Sequence, residues 1–192
     1  MKTIRQAIKV FLFMTLLTGA AYSLLITGMA TLICLHRAGG SIIEKDGRRI
    51  GSTLVGQSFV NPRYFQPRPS ATNYDAMPSG GSNLGPTSNS LKEAISKRRK
   101  ALQVANGTDT EVPVDLLFAS ASGLDPEISP AAAQCQVRRI IKARHLDERA
   151  KTGIFTLIDK HIESPTFGLL GEPRINVLLL NLALDSLTEG RK

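Results

Sequence analysis

Tryptophan is absent, only 5% of the 192 residues are aromatic, and there are two cysteines and three histidines. Each shortage removes a class of function. The basic runs KRRK (Lys97–Lys100) and VRRIIKAR (Val137–Arg144) interleave aliphatic rather than aromatic residues, so stacking platforms for single-stranded nucleic acid are missing. They read as solvated helix faces or as a surface near anionic lipid. His36, His145 and His161 are scattered without ligand spacing, so neither a zinc site nor a Ser-His-Asp triad can be argued. Cys34 sits at the edge of an apolar run and Cys135 is alone in the rest of the chain, which rules out a disulfide between them. No G-x-x-x-x-G-K-[ST] occurs, and GGSNLG has the wrong spacing for G-x-G-x-x-G and lies among prolines rather than between a strand and a helix.

What is present begins with VFLFMTLLTGAAYSLLITGMATLICL, residues 10–35, a run without charge. As a helix it extends about 39 Å at roughly 1.5 Å per residue, enough for a bilayer core of about 30 Å with some tilt. A signal-peptide core is shorter, and no A-x-A site follows, so the run reads as an uncleaved anchor. Lys2, Arg5 and Lys9 stand before it; Arg37, Lys45, Arg48 and Arg49 follow it. A short basic tail is hard to translocate whereas a long domain crosses largely regardless of charge, so the expectation is a cytoplasmic tail at 1–9, a span at 10–35 and an outside domain at 36–192. Within the span Thr15, Gly19, Ser23, Thr27 and Thr31 recur every four residues as a stripe of small side chains, the pattern by which membrane helices approach a partner helix.

Setting aside the three basic residues of the tail, 21 Lys and Arg face 16 acids, and the rest of the chain reads as one small mixed α/β domain of the α+β class. Asp46-Gly47 between two β-competent runs predicts a hairpin. Ser90 and Glu93 form an S-x-x-E capping box for a helix ending at Asn106-Gly107. Leu91, Ala94, Ile95, Ala101, Leu102 and Ala105 share its apolar face with Arg98, which either snorkels past the edge of a short contact or meets a partner's acid. Val112 to Ser120 reads as a strand. Asp125-Pro126-Glu127 reads as a turn rather than a carboxylate pair, leading into a helix capped by Ser129 with Pro130 in its first turn and Ala133, Val137, Ile140 and Ile141 buried. A further helix near 147–162 carries Ala150, Ile154, Leu157 and His161 on one stripe, His161 as a satisfied core residue. A short strand at 174–177 then runs into a last helix.

Between Phe59 and Ser88 no periodicity is visible, yet Tyr64, Phe65, Tyr74 and Met77 are too aromatic and apolar for a disordered segment, and five prolines hold it extended. It is read as a docking and shaping loop, with Arg63, Tyr64, Arg68, Tyr74, Gly80, Gly81, Asn83 and Gly85 as its contact residues. The glycines are expected to supply positive φ or close backbone approach. Ser79, Gly80, Gly81 and Ser82 are the weaker candidates for a nucleotide contact.

Four segments, GSTLVGQSF, YFQPRPSATNYDAMPSGGSNLGPTS, VPVDLLFASASGLDPEISPAAAQCQVRRI and GLLGEPRINVLLLNLALD, closely resemble the C subunit of the Kdp-type high-affinity potassium-transporting P-type ATPase of bacteria. The resemblance covers nearly the whole chain. It implies an inner-membrane complex that uses ATP, magnesium and potassium, in which a channel-like subunit carries the ion, a P-type subunit is phosphorylated, and this single-span subunit is needed for assembly and turnover. A pump's acceptor is the Asp of D-K-T-G-T, and only AKTGI, residues 150–154, is found here, so phosphoryl chemistry is expected on another subunit. The family has also been described as raising the catalytic subunit's ATP affinity through a Ser-Gly-Gly stretch like an ABC signature; PSGGS, residues 78–82, matches Ser-Gly-Gly and has Ser82 where that signature carries Gln. Three readings follow: a non-catalytic accessory subunit with no directly bound cofactor or metal, a nucleotide-binding chaperone subunit, or a free periplasmic binding module or hydrolase.

Overall fold

A computed structural model describes residues 2–45, 47–107 and 111–189. The chain divides into two units that meet at Ile42 and Ile43. In the first, α1 (Lys2–Met14), a π-helical segment (Thr15–Ala21) and α2 (Tyr22–Ile33) run as one helix that is long and apolar enough to cross a membrane, with none of its apolar window covered by protein. It starts before Val10 and ends at Cys34, whose φ of −130° and ψ of 46° interrupt the helix before the single turn α3 (Leu35–Ala38). Backbone carbonyls satisfy the hydroxyls of this helix: Thr27 donates to the Ser23 carbonyl at 2.8 Å and Thr31 to that of Gly28 at 2.9 Å. The Ser23 hydroxyl reaches back five residues to the Thr18 carbonyl at 3.4 Å.

The second unit opens with β1 (Ile42–Lys45) and β2 (Arg48–Ser52), the expected hairpin, with Gly47 at a φ of 71° in its turn. Asp46 lies outside the described residues. Residues 53–88 hold no helix or strand. Then come α4 (Asn89–Asn106), α5 (Val114–Leu117), β3 (Glu127–Ile128), α6 (Pro130–Arg144), α7 (Glu148–Lys160), β4 (Ile175–Asn176) and α8 (Val177–Glu189). The core joins α6, α7 and α8 through Val137, Ile140, Ile154, Ile158, Leu180 and Leu184, with Ile128 and Ile175 added by the antiparallel β3–β4 pair and Leu116 by α5.

Local chemistry explains most boundaries. Ser129 accepts from Ala132 N–H at 3.1 Å, Pro130 occupies the first turn, and His145 closes α6 in the left-handed region, as Gly107 closes α4. Asp147 caps α7 by accepting from Ala150 N–H at 3.0 Å. Asn176 caps α8 by accepting from Leu179 N–H at 3.1 Å, while its amide reaches the Thr53 carbonyl at 2.8 Å.

Several expectations fail. The strand at 112–120 is instead the single turn α5: Pro113 fixes its entry, and Leu116 and Leu117 are both buried, which an alternating strand on one core does not allow. The cap of α4 is Ser88, accepting from Leu91 N–H at 3.4 Å, so the Ser90–Glu93 capping box is not made. On that helix Ala101 and Ala105 are exposed, and the face turned to the domain is Leu91, Ala94, Ile95, Arg98 and Leu102 with buried Asn106 at its end. Arg98 is half-buried on this face. It donates to the Leu117 carbonyl at 2.8 Å, one of the carbonyls left open where the short α5 ends.

Candidate functional site

The extended segment from Pro62 to Pro69 is fastened to the domain by amide and guanidinium side chains of α6 and α8. Asn181 accepts from Phe65 N–H at 2.8 Å and donates to the Phe65 carbonyl at 2.9 Å, which satisfies both polar groups of that peptide as a neighbouring strand would. Gln136 does the same for Gln66, at 2.8 Å and 3.0 Å. The Phe65 ring between these clamps is fully buried. Arg139, only 6% exposed, donates to Asn106 Oδ1, to the carbonyls of Pro62 and Tyr64, and to Gln136 Oε1. Burial pushes Arg139 down to about 10, so it stays charged at neutral pH, compensated by these acceptors rather than by an acid.

Arg144 holds the start of the segment. It donates to the Arg63 carbonyl and to Thr188, pairs with Asp185 at 2.6 Å, and lies 5.0 Å over the Tyr64 ring. The Tyr64 hydroxyl donates to the same Asp185 at 3.2 Å; burial and that carboxylate push its ionisation up. Further along, Arg68 pairs with Asp125 at 2.9 Å, and the Tyr74 hydroxyl donates to the Arg68 carbonyl at 2.6 Å. Burial raises Tyr74 to about 12.

Residues proposed from sequence as one docking loop therefore divide. Tyr64, Arg68 and Tyr74 face the domain, while Arg63, Ser79, Ser82, Asn83 and Gly85 are exposed. Neither Gly80, Gly81 nor Gly85 has positive φ; Asn83 does, at 52°. A Cβ at Gly80 or Gly85 meets nothing within 4 Å, whereas one at Gly81 falls 2.9 Å from the Ala121 carbonyl oxygen. Close approach thus explains Gly81 alone of the three. The tight glycine against this loop is Gly123, with φ 71° and an added Cβ 2.7 Å from the Gly80 carbonyl oxygen. Ser79 to Ser82 form no helix N-terminus, the next helix beginning only at Asn89.

The other sequence candidates are structural. Asp125 accepts from Glu127 N–H at 3.0 Å, closing the expected turn, and Glu127 pairs with Arg174 at 3.0 Å. Burial raises Glu127, with Arg174 acting against it, and the raised value means that this carboxylate adds no stability at neutral pH. These residues line a cleft of about 250 Å3 with Asp115, which is occupied by Ser129 N–H at 2.8 Å. His161 Nδ1 is 2.8 Å from the Leu157 carbonyl at the end of α7. AKTGI lies within α7, with Ala150 and Ile154 buried. Cys135 is half-buried beside Asn106, which burial answers by raising its thiol. Among the described residues no three His, Cys, Asp or Glu side chains come together as a metal site. The stripe from Thr15 to Thr31 lies wholly along the uncovered helix.

The family model for KdpC, the c chain of the K+-transporting ATPase, matches residues 4–186. The chain belongs to the KdpC family. It is 52% identical over 186 residues to the potassium-transporting ATPase KdpC subunit of Sorangium cellulosum, covering 95% of this chain and 96% of that one. The KdpC subunits of Burkholderia ambifaria and Gemmatimonas aurantiaca are 52% and 48% identical, over 97% and 98% of this chain and 97% and 94% of theirs. The matched KdpC residues include both the apolar helix and the clamped segment.

Gln136, Arg139, Asn181 and Asp185 were not singled out from sequence, and Asn106 was read only as a helix end. A signal existed: Gln136 and Arg139 fall on the α6 stripe of Ala133, Val137 and Ile140, and Asn181 interrupts LLLNLAL. Polar groups placed at core positions imply buried partners.

Proposed function

We propose that this chain is a non-catalytic, single-span accessory subunit of a bacterial potassium-importing ATPase, anchored in the inner membrane and needed for assembly and turnover of the complex. The observation that carries the reading is the clamped segment. Its backbone N–H and carbonyl groups are taken up by Asn181, Gln136, Arg139 and Arg144, which gives a shaped surface rather than a reactive cluster. The tail with Lys2, Arg5 and Lys9 is cytoplasmic and the domain after the span is periplasmic, as the short basic tail favours. Thr15, Gly19, Ser23, Thr27 and Thr31 pack on a helix of a fellow subunit. The π segment supports this, because a π turn winds less per residue than an α turn and so counters the stripe's drift around the helix. Arg63, Asn83 and Gly85 are the outward contacts of the loop. ATP and magnesium serve the catalytic subunit, potassium passes through the channel-like one, and none is bound here.

The test is the ATP concentration for half-maximal turnover in assembled complexes carrying Ser79→Ala, an exposed position whose change leaves the fold alone. The expected value is unchanged from wild type. A large, selective rise with assembly intact would favour nucleotide contact at Ser79 to Ser82 instead.

A further inference from the structure

Between α7 and β4 the chain makes a hydrogen-bonded excursion that packs on almost nothing. Its base is the pairing of Glu163 with Arg174, N–H to carbonyl in both directions at 2.8 Å and 3.1 Å. Its tip is closed by Thr166 and Leu170, paired likewise at 2.8 Å and 3.0 Å. Arg174 fixes the base further through Glu127 at 3.0 Å and Glu163 at 3.3 Å. From that frame Phe167 is 89% exposed, Leu169 87% and Leu170 64%. Among the described residues of this unit, no other stretch of four puts three large apolar side chains in solvent. Scattered apolar residues on a surface need no explanation, whereas a contiguous apolar tip marks a contact.

The backbone adds to this. Phe167 has a φ of 56°, a region that a bulky side chain rarely adopts, with Gly168 at 74° following. Glycine or asparagine suits such a turn better, so an aromatic side chain is kept there against local preference.

A lipid surface fits this tip poorly. Interfacial segments carry Trp, Tyr, Lys or Arg beside their apolar residues. Residues 163–173, ESPTFGLLGEP, contain none of these; Arg174, which follows, is engaged at the base by Glu127 and Glu163, and exposed Glu172 is repelled by anionic headgroups. We infer that the Phe167–Leu170 tip is a docking finger that inserts into an apolar socket, rimmed by basic side chains, on a fellow subunit of the potassium-transporting ATPase. The inference rests on the accessory-subunit reading and adds a contact separate from both the helix stripe and the clamped loop. Glu172 meets the basic rim, and Phe167, Leu169 and Leu170 fill the socket, the arrangement in which a few buried anchors carry most of an interface's strength.

The experiment places a photo-crosslinking phenylalanine analogue at position 167 of the full chain and irradiates membranes that contain the whole complex. An adduct with a fellow ATPase subunit is expected. Adducts only with lipid or with a second copy of this chain, or no adduct, overturn the inference. In parallel, the triple variant Phe167→Asn, Leu169→Ser, Leu170→Ser should lower recovery of the fellow subunits about tenfold or more. Its thermal midpoint should match wild type, because the replaced side chains lie in solvent and Asn tolerates the left-handed turn. Undiminished recovery overturns the docking role. A wild-type chain that brings down no fellow subunit overturns the accessory-subunit reading and this inference with it, whereas wild-type recovery without a crosslink at position 167 overturns this inference alone.

Discussion

Asn181 shows how one amide can stand in for a strand. Its two bonds to Phe65 cover a peptide group that the core would otherwise strand without water. Asn181→Leu keeps the volume but leaves a buried N–H and C=O unpaired, at a cost of about 2–4 kcal/mol, or a thermal midpoint lowered by about 5–10 °C. A fall of less than about 2 °C in a calorimetric scan would contradict the clamp. Tyr74 provides a test through pH. Burial raises it from 10.0 to about 12, so the neutral phenol is favoured in the folded state. A raised value contributes stability that is complete below pH 10 and is lost as the pH climbs towards 12. Denaturant midpoints measured across that window should fall more steeply for wild type than for Tyr74→Phe. Parallel curves would place the phenol in solvent.

At the scale of elements, the uncovered apolar helix carries its own prediction. Gly19 meets no neighbour within 4 Å in this chain, so Gly19→Leu leaves the helix free to insert. It should nevertheless weaken co-purification with the potassium-carrying subunit, because bulk on the stripe holds two backbones apart. Leu17→Phe, away from the stripe, should not; equal behaviour would reduce the helix to an anchor. The elements legible in the sequence were those with strong local chemistry. Ser129-Pro130 starts α6, Gly107 ends α4, and the apolar spacing of Ala150, Ile154 and Leu157 marks α7. The turn α5 was not legible, since VPVDLLF reads as β-competent until Leu116 and Leu117 are both required by the same core. The π segment was equally hidden, because nothing in TLLTGAA separates it from ordinary helix.

For the whole molecule, the sequence had already shown a long helix followed by one mixed domain, and the family resemblance stands on residues 4–186. What it could not show was the inward turn of the loop. Tyr64, Arg68 and Tyr74 looked like contacts for a partner because their own partners lie far along the chain, at Asp185 and Asp125 for the first two. Long-range pairing of this kind leaves no local pattern. The division of labour proposed for the complex rests on which side of the membrane the domain occupies, since a periplasmic domain cannot touch cytoplasmic ATP. Cys135, half-buried and with a raised thiol, is a poor labelling site for that question. A compartment-sensitive reporter fused to the C-terminus of the full chain asks it directly. Activity of a periplasm-dependent reporter, with a cytoplasm-dependent one silent, is the predicted result; the reverse pattern would contradict the account and restore direct nucleotide binding as the better reading.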